Sequence, residues 1–285
     1  MLPDPSKPKV IIFDTTMRDG ELMPDVKIDI YQKISIAKLL EEMRVDVIEV
    51  GYPGIFRKDF DDLFMVSKQV KESIICGLAN SKADEIIDVA LAIRPAARGR
   101  INVFTPINLN HPSELDASQT LEVIQDSISL ARNYCGDVEW SAFDACRSEP
   151  DFLCRAIETA INSGATTVTI PDSLGTSSTD EFSELISMVM NRVPNISQVI
   201  LSVHCHNDLG LALENSIAAL NCGARQIECA VNGLGARYGN ADLEDVVKAI
   251  SNDPNYRVDI AAALLDDVSV LVAEVTGISK QRYWV

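Results

Sequence analysis

The stretch Val199-Ile200-Leu201-Ser202-Val203-His204-Cys205-His206-Asn207-Asp208-Leu209-Gly210 joins an apolar run to a helical pattern that begins near Leu209. The apolar run predicts a buried strand, and residues two apart on a strand point to the same side. His204 and His206 therefore aim both imidazoles at one point. Neutral imidazole is the commonest nitrogen ligand of metal ions, and the chain has only three histidines, so the pair indicates a metal site. The alternative is a hydrogen-bonded core histidine beside a helix cap, since H-x-H is a short pattern.

The same unit, a strand followed by a loop and a helix, is repeated along the whole chain. The predicted strands are 9–13, 45–50, 73–78, 101–104, 138–141, 166–170, 199–203 and 226–231. Apolar residues at helical spacing follow each of them. Eight such units in about 250 residues predict the α/β class and a parallel (β/α)8 TIM barrel. A doubly wound open sheet is the alternative, but Arg18-Asp19-Gly20 lacks the G-x-G-x-x-G pattern often found after its first strand.

No interior linker, low-complexity tract or charge block divides the chain. We expect residues 1–254 to form the barrel and residues 255–285 to form a C-terminal helical extension. The amphipathic segment 260–275 would cover a barrel end or pair with another subunit.

Composition narrows the classes of function. A chain of 285 residues that is 47% hydrophobic can bury a large core. Its net charge of −17 opposes binding to nucleic acid or an anionic membrane, so any anionic ligand must meet a local basic patch. The sequence has no apolar run of membrane-spanning length and no secretory signal pattern, so we expect a cytoplasmic protein. The seven cysteines lack C-x-x-C spacing, and the side chain of Cys205 should point away from the two histidines.

Catalytic groups of a (β/α)8 barrel lie in the loops that follow the strands. The polar residues that this rule places on one rim are Arg18, Asp19, Asp172, Ser173, His204, His206 and Asn240. Carboxylate, imidazole and amide groups form a mixed nitrogen and oxygen set that suits Mg²⁺, Mn²⁺ or Zn²⁺.

Five motifs in this order resemble a known family of metal-dependent barrel enzymes. They are Phe13-Asp14-Thr15-Thr16-Met17-Arg18-Asp19-Gly20-Glu21, Ile48-Glu49-Val50-Gly51-Tyr52-Pro53, Ile170-Pro171-Asp172-Ser173-Leu174-Gly175, His204-Cys205-His206-Asn207-Asp208-Leu209-Gly210-Leu211-Ala212 and Asn232-Gly233-Leu234-Gly235-Ala236-Arg237-Tyr238-Gly239-Asn240. The family includes 2-isopropylmalate synthase, homocitrate synthase, citramalate synthase and 3-hydroxy-3-methylglutaryl-CoA (HMG-CoA) lyase. The resemblance covers nearly the whole chain and looks closest to the catalytic domain of 2-isopropylmalate synthase.

The resemblance implies a metal centre and its ligands. Asp19, His204 and His206 would bind a divalent metal (Mg, Mn or Zn), with the side chain of Asn240 as a weaker fourth ligand.

It also implies residues that act on the substrate. Arg18 would stabilise the enolate or alkoxide oxygen, and Ser173, where relatives often have Thr, would donate a hydrogen bond to a 2-oxoacid carboxylate. His111 aligns with a substrate-side histidine of some relatives, although a surface loop residue is an equal alternative.

The implied activity is the condensation of an acyl-CoA, acetyl-CoA as the co-substrate, with a 2-oxoacid by a homodimeric enzyme of branched-chain (leucine) biosynthesis. Two alternatives stay open. One is a metal-dependent lyase or aldolase that cleaves a hydroxy-acid, and the other is a non-catalytic ligand-binding relative.

Several positions depart from the family pattern near the reacting centre. Relatives place Glu where this chain has Phe143, which cannot transfer a proton. Leu22 replaces a Gln, Ala236 replaces a Glu, and Ile107-Asn108 replaces a Thr-Ser pair. Full-length relatives add a subdomain that supplies a His/Tyr proton-transfer pair, so the chain is either a catalytic fragment or a short member with another substrate.

Other polar residues near the rim have simpler interpretations. Asp14 should hydrogen-bond within its loop, and Asn207 and Asp208 are expected to be helix N-caps. Arg147 and Arg237 either attract coenzyme A phosphates or lie in ion pairs.

Overall fold

Each strand of the computed structural model is followed by a helix, and residues 5–109 and 115–280 are described. The strands are β1 (Ile11–Asp14), β2 (Val47–Gly51), β3 (Ile74–Asn80), β4 (Gly99–Pro106), β5 (Val138–Phe143), β6 (Thr167–Asp172), β7 (Ile200–Cys205) and β8 (Gln226–Cys229). Neighbouring strands pair in parallel, and β8 pairs with β1 to close the sheet. The predicted (β/α)8 TIM barrel is therefore confirmed.

Helices surround this barrel on the outside. Over the described residues they are α1 (Ile30–Glu42), α2 (Lys58–Gln69), α3 (Ala83–Ala92), α4 (Ala117–Arg132), α5 (Pro150–Asn162), α6 (Thr179–Arg192), α7 (Ala212–Asn221), α8 (Leu243–Asn252) and α9 (Leu265–Thr276). None of them is both long and apolar enough to cross a membrane.

Helix α7 begins later than its sequence pattern predicts. It starts at Ala212 rather than near Leu209, because Gly210 adopts a left-handed backbone with φ of 75° before the helix begins. Asn207 accepts a hydrogen bond from the Ala212 backbone N–H at 3.2 Å, so it does satisfy a donor at the start of the helix. The expectation that Asp208 is an N-cap is wrong, since its carboxylate pairs with Arg237 instead.

Two separate apolar clusters flank the barrel wall. The larger one fills the space between strands and helices and includes the fully buried Trp140, Ile170 and Cys205. This placement confirms that Cys205 points away from the histidines. A smaller cluster of Phe13, Val47 and Cys76 packs inside the barrel, where Cys76 is in register with Glu49 of β2 and Arg100 of β4. The apolar and polar residues of the interior therefore lie side by side.

The C-terminal segment is joined to the loop between β8 and α8. Asn232 donates to the carbonyl oxygens of Ser269 at 3.0 Å and Ile278 at 3.1 Å. The ammonium group of Lys280 lies 2.8 Å from Asp242 and 2.6 Å from Asp245. The division into a barrel (1–254) and an extension (255–285) stays a prediction.

Candidate metal centre

Asp19 enters the site from the loop after β1. Its backbone N–H donates to the Thr15 carbonyl at 2.9 Å, which folds this loop into a tight turn over the barrel end. The carboxylate is buried, and it accepts hydrogen bonds from two side chains and from the Ala236 backbone N–H at 3.3 Å. Oδ1 accepts from Arg18 Nη1 at 2.7 Å, and Oδ2 accepts from Asn240 Nδ2 at 2.9 Å.

The end of strand β7 supplies the two histidines, His204 within the strand and His206 one residue after it. Their rings lie with centroids 4.9 Å apart, as expected for neighbours on one face of a strand. Nδ1 of His204 is 2.8 Å from Oε2 of Glu228 on β8. A carboxylate that accepts from Nδ1–H fixes the ring orientation and the tautomer, so Nε2 carries the lone pair for a ligand.

Asn240 is brought to the site by the loop after β8. A backbone bridge between His206 and Asn240 joins this loop to the end of β7. The Asn240 amide donates to Thr15 Oγ1 at 3.1 Å as well as to Asp19. A Cβ atom added at Gly235 would lie 2.7 Å from the Asn240 amide and 2.8 Å from Asp19 Oδ2, so only glycine fits beside this pair.

These residues fit a divalent metal. One possible ligand atom from each of Asp19, His204 and His206 lies within 4.8 Å of the other two. Nδ1 of His206 and Oδ1 of Asn240 are buried and have no hydrogen-bond partner among the described residues. Buried polar atoms without partners are costly, and a bound cation would relieve that cost.

The protonation states suit metal binding as well. Burial lowers the pKa of His206 to about 4 and also lowers the pKa of His204, so both imidazoles are neutral at pH 7. Burial alone would raise the pKa of Asp19, but Arg18 and the two histidines hold it below the usual range. A metal needs deprotonated ligands, and all three residues meet that requirement.

Arg18 lies beside the metal centre with its guanidinium group held on two sides. Nη1 contacts Asp19 at 2.7 Å, and Nε contacts Glu49 of β2 at 2.5 Å. These two ion pairs fix the plane of the guanidinium group at the edge of a neighbouring cavity.

A cavity of about 380 Å³ opens directly above the metal centre. Arg18, Asp19, His204, His206 and Ser173 line its polar side. Most of the remaining wall is apolar, and it is formed by Leu22, Tyr52, Ile55, Phe56, Leu78, Phe104, Phe143, Pro171, Leu174 and Ala236.

The other predicted rim residues have local roles. Ser173 Oγ accepts from the Asp144 backbone N–H at 2.9 Å, and its hydroxyl can still donate its own proton. Asp172, the last residue of β6, accepts from the Ser177 backbone N–H at 3.0 Å and thereby holds the loop that follows the strand. Asp14 accepts from the Thr16 hydroxyl at 2.7 Å, as predicted. His111 lies outside the described residues.

The two arginines considered for coenzyme A phosphates are both in ion pairs. Arg147 contacts Asp144 at 2.6 Å, and Arg237 contacts Asp208 at 2.7 Å. The ion-pair alternative therefore holds for each of them.

Three of the unusual positions lie on the cavity wall. Leu22, Phe143 and Ala236 all face it, whereas Asn108 donates to the Asp144 carboxylate at 2.8 Å. The candidate metal centre is thus polar, while the neighbouring wall is apolar.

Sequence reasoning missed Glu228 and Glu49 as parts of the site. Both lie inside strands rather than in loops, and a charged residue on a strand is usually taken as solvent-facing. The available signal was their position: Glu228 precedes the last residue of β8, and parity places it on the inner face with Gln226.

Curated relatives match most of this chain. A 2-isopropylmalate synthase from Rhodopseudomonas palustris (strain BisB5) is 47% identical over 251 residues, which are 87% of this chain and 48% of that protein. One from Caulobacter vibrioides (strain NA1000 / CB15N) is 48% identical over 244 residues, 85% of this chain and 47% of that protein. The chain therefore spans about half the length of these relatives.

Solved structures share the fold at low sequence identity. A hydroxymethylglutaryl-CoA lyase from Pseudomonas aeruginosa superposes with a TM-score of 0.80 at 21% identity, covering 96% of this chain and 95% of that one. The HMG-CoA lyase from Brucella melitensis superposes with a TM-score of 0.78 at 18% identity, covering 95% of this chain and 99% of that one. At such identities these likenesses show the barrel fold alone.

A protein-family model matches residues 9–272, and its description is HMGL-like. The match includes all eight strands and each of the residues that surround the metal centre. On this evidence, together with the barrel and the five motifs, the chain belongs to the HMGL-like family.

Proposed function

We propose that this protein is a divalent-metal-dependent acyltransferase that condenses an acyl-CoA, acetyl-CoA in the simplest case, with a 2-oxoacid in the manner of a 2-isopropylmalate synthase. The curated relatives of that name support the reaction class. The observation that carries the proposal is the Asp19, His204 and His206 cluster at the base of the cavity.

The polar residues suit a 2-oxoacid. A divalent metal held by Asp19, His204, His206 and Asn240 would supply Lewis acidity toward the keto oxygen of the substrate. Ser173 lines the same cavity and can donate its hydroxyl proton to the substrate carboxylate.

Arg18 is suited to stabilise negative charge. Its guanidinium has five N–H donors, and the pairs with Asp19 and Glu49 orient it before any substrate arrives. A donor group held in advance beside an oxygen that becomes negative lowers the barrier without reorganising.

A thiol-release assay tests this function. Acetyl-CoA and a panel of 2-oxoacids are supplied to the protein with Mg²⁺, Mn²⁺ or Zn²⁺, and free coenzyme A is measured with a thiol reagent. We expect release that a chelator abolishes and that Asp19→Ala lowers by at least about 10²-fold, whereas Glu122→Gln on the exposed face of α4 leaves it unchanged.

Two further measurements select the alternatives. With a panel of hydroxy-acids in place of the 2-oxoacids, metal-dependent cleavage would replace the synthase with a lyase. Metal-dependent binding of a 2-oxoacid with no turnover of either kind would favour a ligand-binding protein, which is the alternative that Phe143 motivates.

We further propose a homodimer in the cytoplasm. Light scattering coupled to gel filtration tests the first part, and a mass near twice 31.2 kDa is the expected result.

A further inference from the structure

We infer that the cavity selects a 2-oxoacid with an aromatic side arm, or one of similar apolar bulk, and that Phe143 is a specificity-determining residue for it. This inference rests on the proposed function and names the substrate class of the same site.

An aromatic wall runs along one side of the cavity. The rings of Tyr52 and Phe104 meet edge to face with centroids 5.8 Å apart. The rings of Phe104 and Phe143 follow at 6.1 Å and a tilt of 57°. All three residues line the cavity. Aromatic rings attract a further ring in offset or edge-to-face arrangements at these separations, so the wall suits a planar apolar group.

Several apolar side chains that line the cavity are unusually exposed for their type. Phe143 is 38% exposed, Leu22 42%, Phe56 38% and Ile55 61%, and all four line the same cavity. An apolar patch of this kind marks a place where an apolar partner or ligand is bound. Removing these surfaces from water would favour an apolar arm over a polar one.

The charges at the cavity oppose an acidic side arm. Among the described residues that line it, the cationic side chains are Arg18 and Arg237, and each is already paired with a carboxylate. Asp19 and Glu228 add acidic groups on the same wall. A second carboxylate on the substrate would therefore be desolvated without a partner, which is costly.

Phe143 connects the wall to the reacting end of the site. It is the last residue of β5, and Ser141, two residues earlier on the same face, also lines the cavity. A side arm that extends from the metal centre along this face would contact the Phe143 ring directly.

Calorimetry with defined ligands tests the inference. The protein with Mn²⁺ is titrated with phenylpyruvate, 2-oxoisovalerate and 2-oxoglutarate. We expect phenylpyruvate to bind at least about tenfold more tightly than 2-oxoisovalerate, and 2-oxoglutarate to bind most weakly.

Variants at position 143 test whether the ligand preference depends on Phe143 itself. Phe143→Ala should remove most of the preference for phenylpyruvate, and Phe143→Leu should keep part of it, because it preserves apolar bulk without a ring. Tyr134→Ala, an exposed aromatic residue that is absent from the cavity lining, should change nothing. Thermal unfolding of each variant shows whether it is folded.

The outcomes distinguish this inference from the proposed function. Similar affinities for the three acids, or a preference that survives in Phe143→Ala, would overturn the inference and leave the 2-oxoacid assignment standing. Failure of every 2-oxoacid to bind in the presence of Mn²⁺ would overturn both.

Discussion

Gly235 determines how closely two parts of the metal centre can approach each other. Its Cα lies beside the Asn240 amide and the Asp19 carboxylate, and a methyl group there would come within 2.8 Å of both. The loops after β1 and β8 can therefore share a hydrogen bond only because this residue has no side chain.

We predict that Gly235→Ala separates these two side chains. The added Cβ should weaken Mn²⁺ binding at least about tenfold and lower the free energy of unfolding by about 1–3 kcal/mol, as overpacking does elsewhere. Calorimetry and urea unfolding measure the two effects.

Gly136→Ala is the matched control, because a Cβ atom there meets no atom within 4 Å. Equal Mn²⁺ affinity in both variants would contradict this account of Gly235.

At the residue scale, the polar groups of the centre were predictable and their supports were not. His204 and His206 stand two apart on a strand, and the barrel rule brings Asp19 and Asn240 to the same rim. Parity places Glu228 and Glu49 on the inner face of their strands, but what they contact depends on the register of neighbouring strands. Gly235 lies in the loop after β8, and its role depends on its closeness to Asp19, which is distant in sequence.

Three strands continue further than the sequence predicts. The predicted ends are residues 141, 170 and 203, whereas β5, β6 and β7 continue to Phe143, Asp172 and Cys205. At the carboxyl-terminal end of a barrel, inward residues line the site, so a strand can continue through polar residues such as His204. These strand ends bring the site residues together.

Helix α1 holds the loops after β1 and β2 through a buried lysine. Lys33 is 0% exposed, and its ammonium group contacts Glu21 at 2.6 Å, Asp62 at 3.2 Å and the Val50 carbonyl at 2.9 Å. Asp59, also within 3.7 Å of this ammonium group, accepts from the Tyr52 backbone N–H at 2.7 Å. One cation thus anchors both loops that carry the Leu22 and Tyr52 sides of the cavity.

We predict that Lys33→Met destabilises the protein by about 3–5 kcal/mol, because it removes the buried cation that Glu21, Asp59 and Asp62 share. Among the described residues, Glu21 alone of these three keeps a close cationic partner, Lys58 at 2.6 Å. Lys38→Met, at an exposed position of the same helix, is the control and should change stability by about 0.5 kcal/mol or less. Denaturant unfolding gives both free energies. Similar losses of stability in the two variants would show that the buried cluster around Lys33 contributes no more than an exposed lysine does.

Below the site, the barrel interior of the whole molecule holds the small apolar cluster of Phe13, Val47 and Cys76 and, beside it, a polar middle. The polar middle contains Glu139, Glu228 and Arg100, joined through Gln226 and Thr169. Thr169 Oγ1 lies 2.5 Å from Glu139 and 2.8 Å from Glu228. A hydroxyl has one proton and can donate to only one of the two carboxyl groups. The hydrogen bond to the other carboxyl group must therefore use a proton that this carboxyl group carries.

The raised pKa values of Glu139 and Glu228 agree with a proton that is retained between these two carboxyl groups. Burial raises the pKa of Glu139 to about 8 despite the favourable charge of Arg100, and it raises the pKa of Glu228 to about 7.

We predict a pH dependence of stability from Glu139. Its pKa is 4.5 when unperturbed and about 8 in the folded protein, so the unfolded chain ionises first as the pH rises. Between these values the contribution of Glu139 to the free energy of unfolding decreases with increasing pH, and it is fully present only below pH 4.5.

The comparison of metal-free wild type with Glu139→Gln measures this contribution. Wild type should lose stability relative to the variant by roughly 1–3 kcal/mol from pH 5 to pH 8, whereas Glu122→Gln should follow the wild-type curve. A constant difference between wild type and Glu139→Gln across this range would show that Glu139 is ionised throughout.

Crystals grown with Mn²⁺ test the central claim most directly, since the anomalous signal of the ion locates it independently of any assay. We predict one strong anomalous peak at about 2.0–2.4 Å from an Asp19 carboxylate oxygen and from one ring nitrogen each of His204 and His206. A map without a peak there, or with the ion held by other residues, would contradict the assignment of this site as the metal centre.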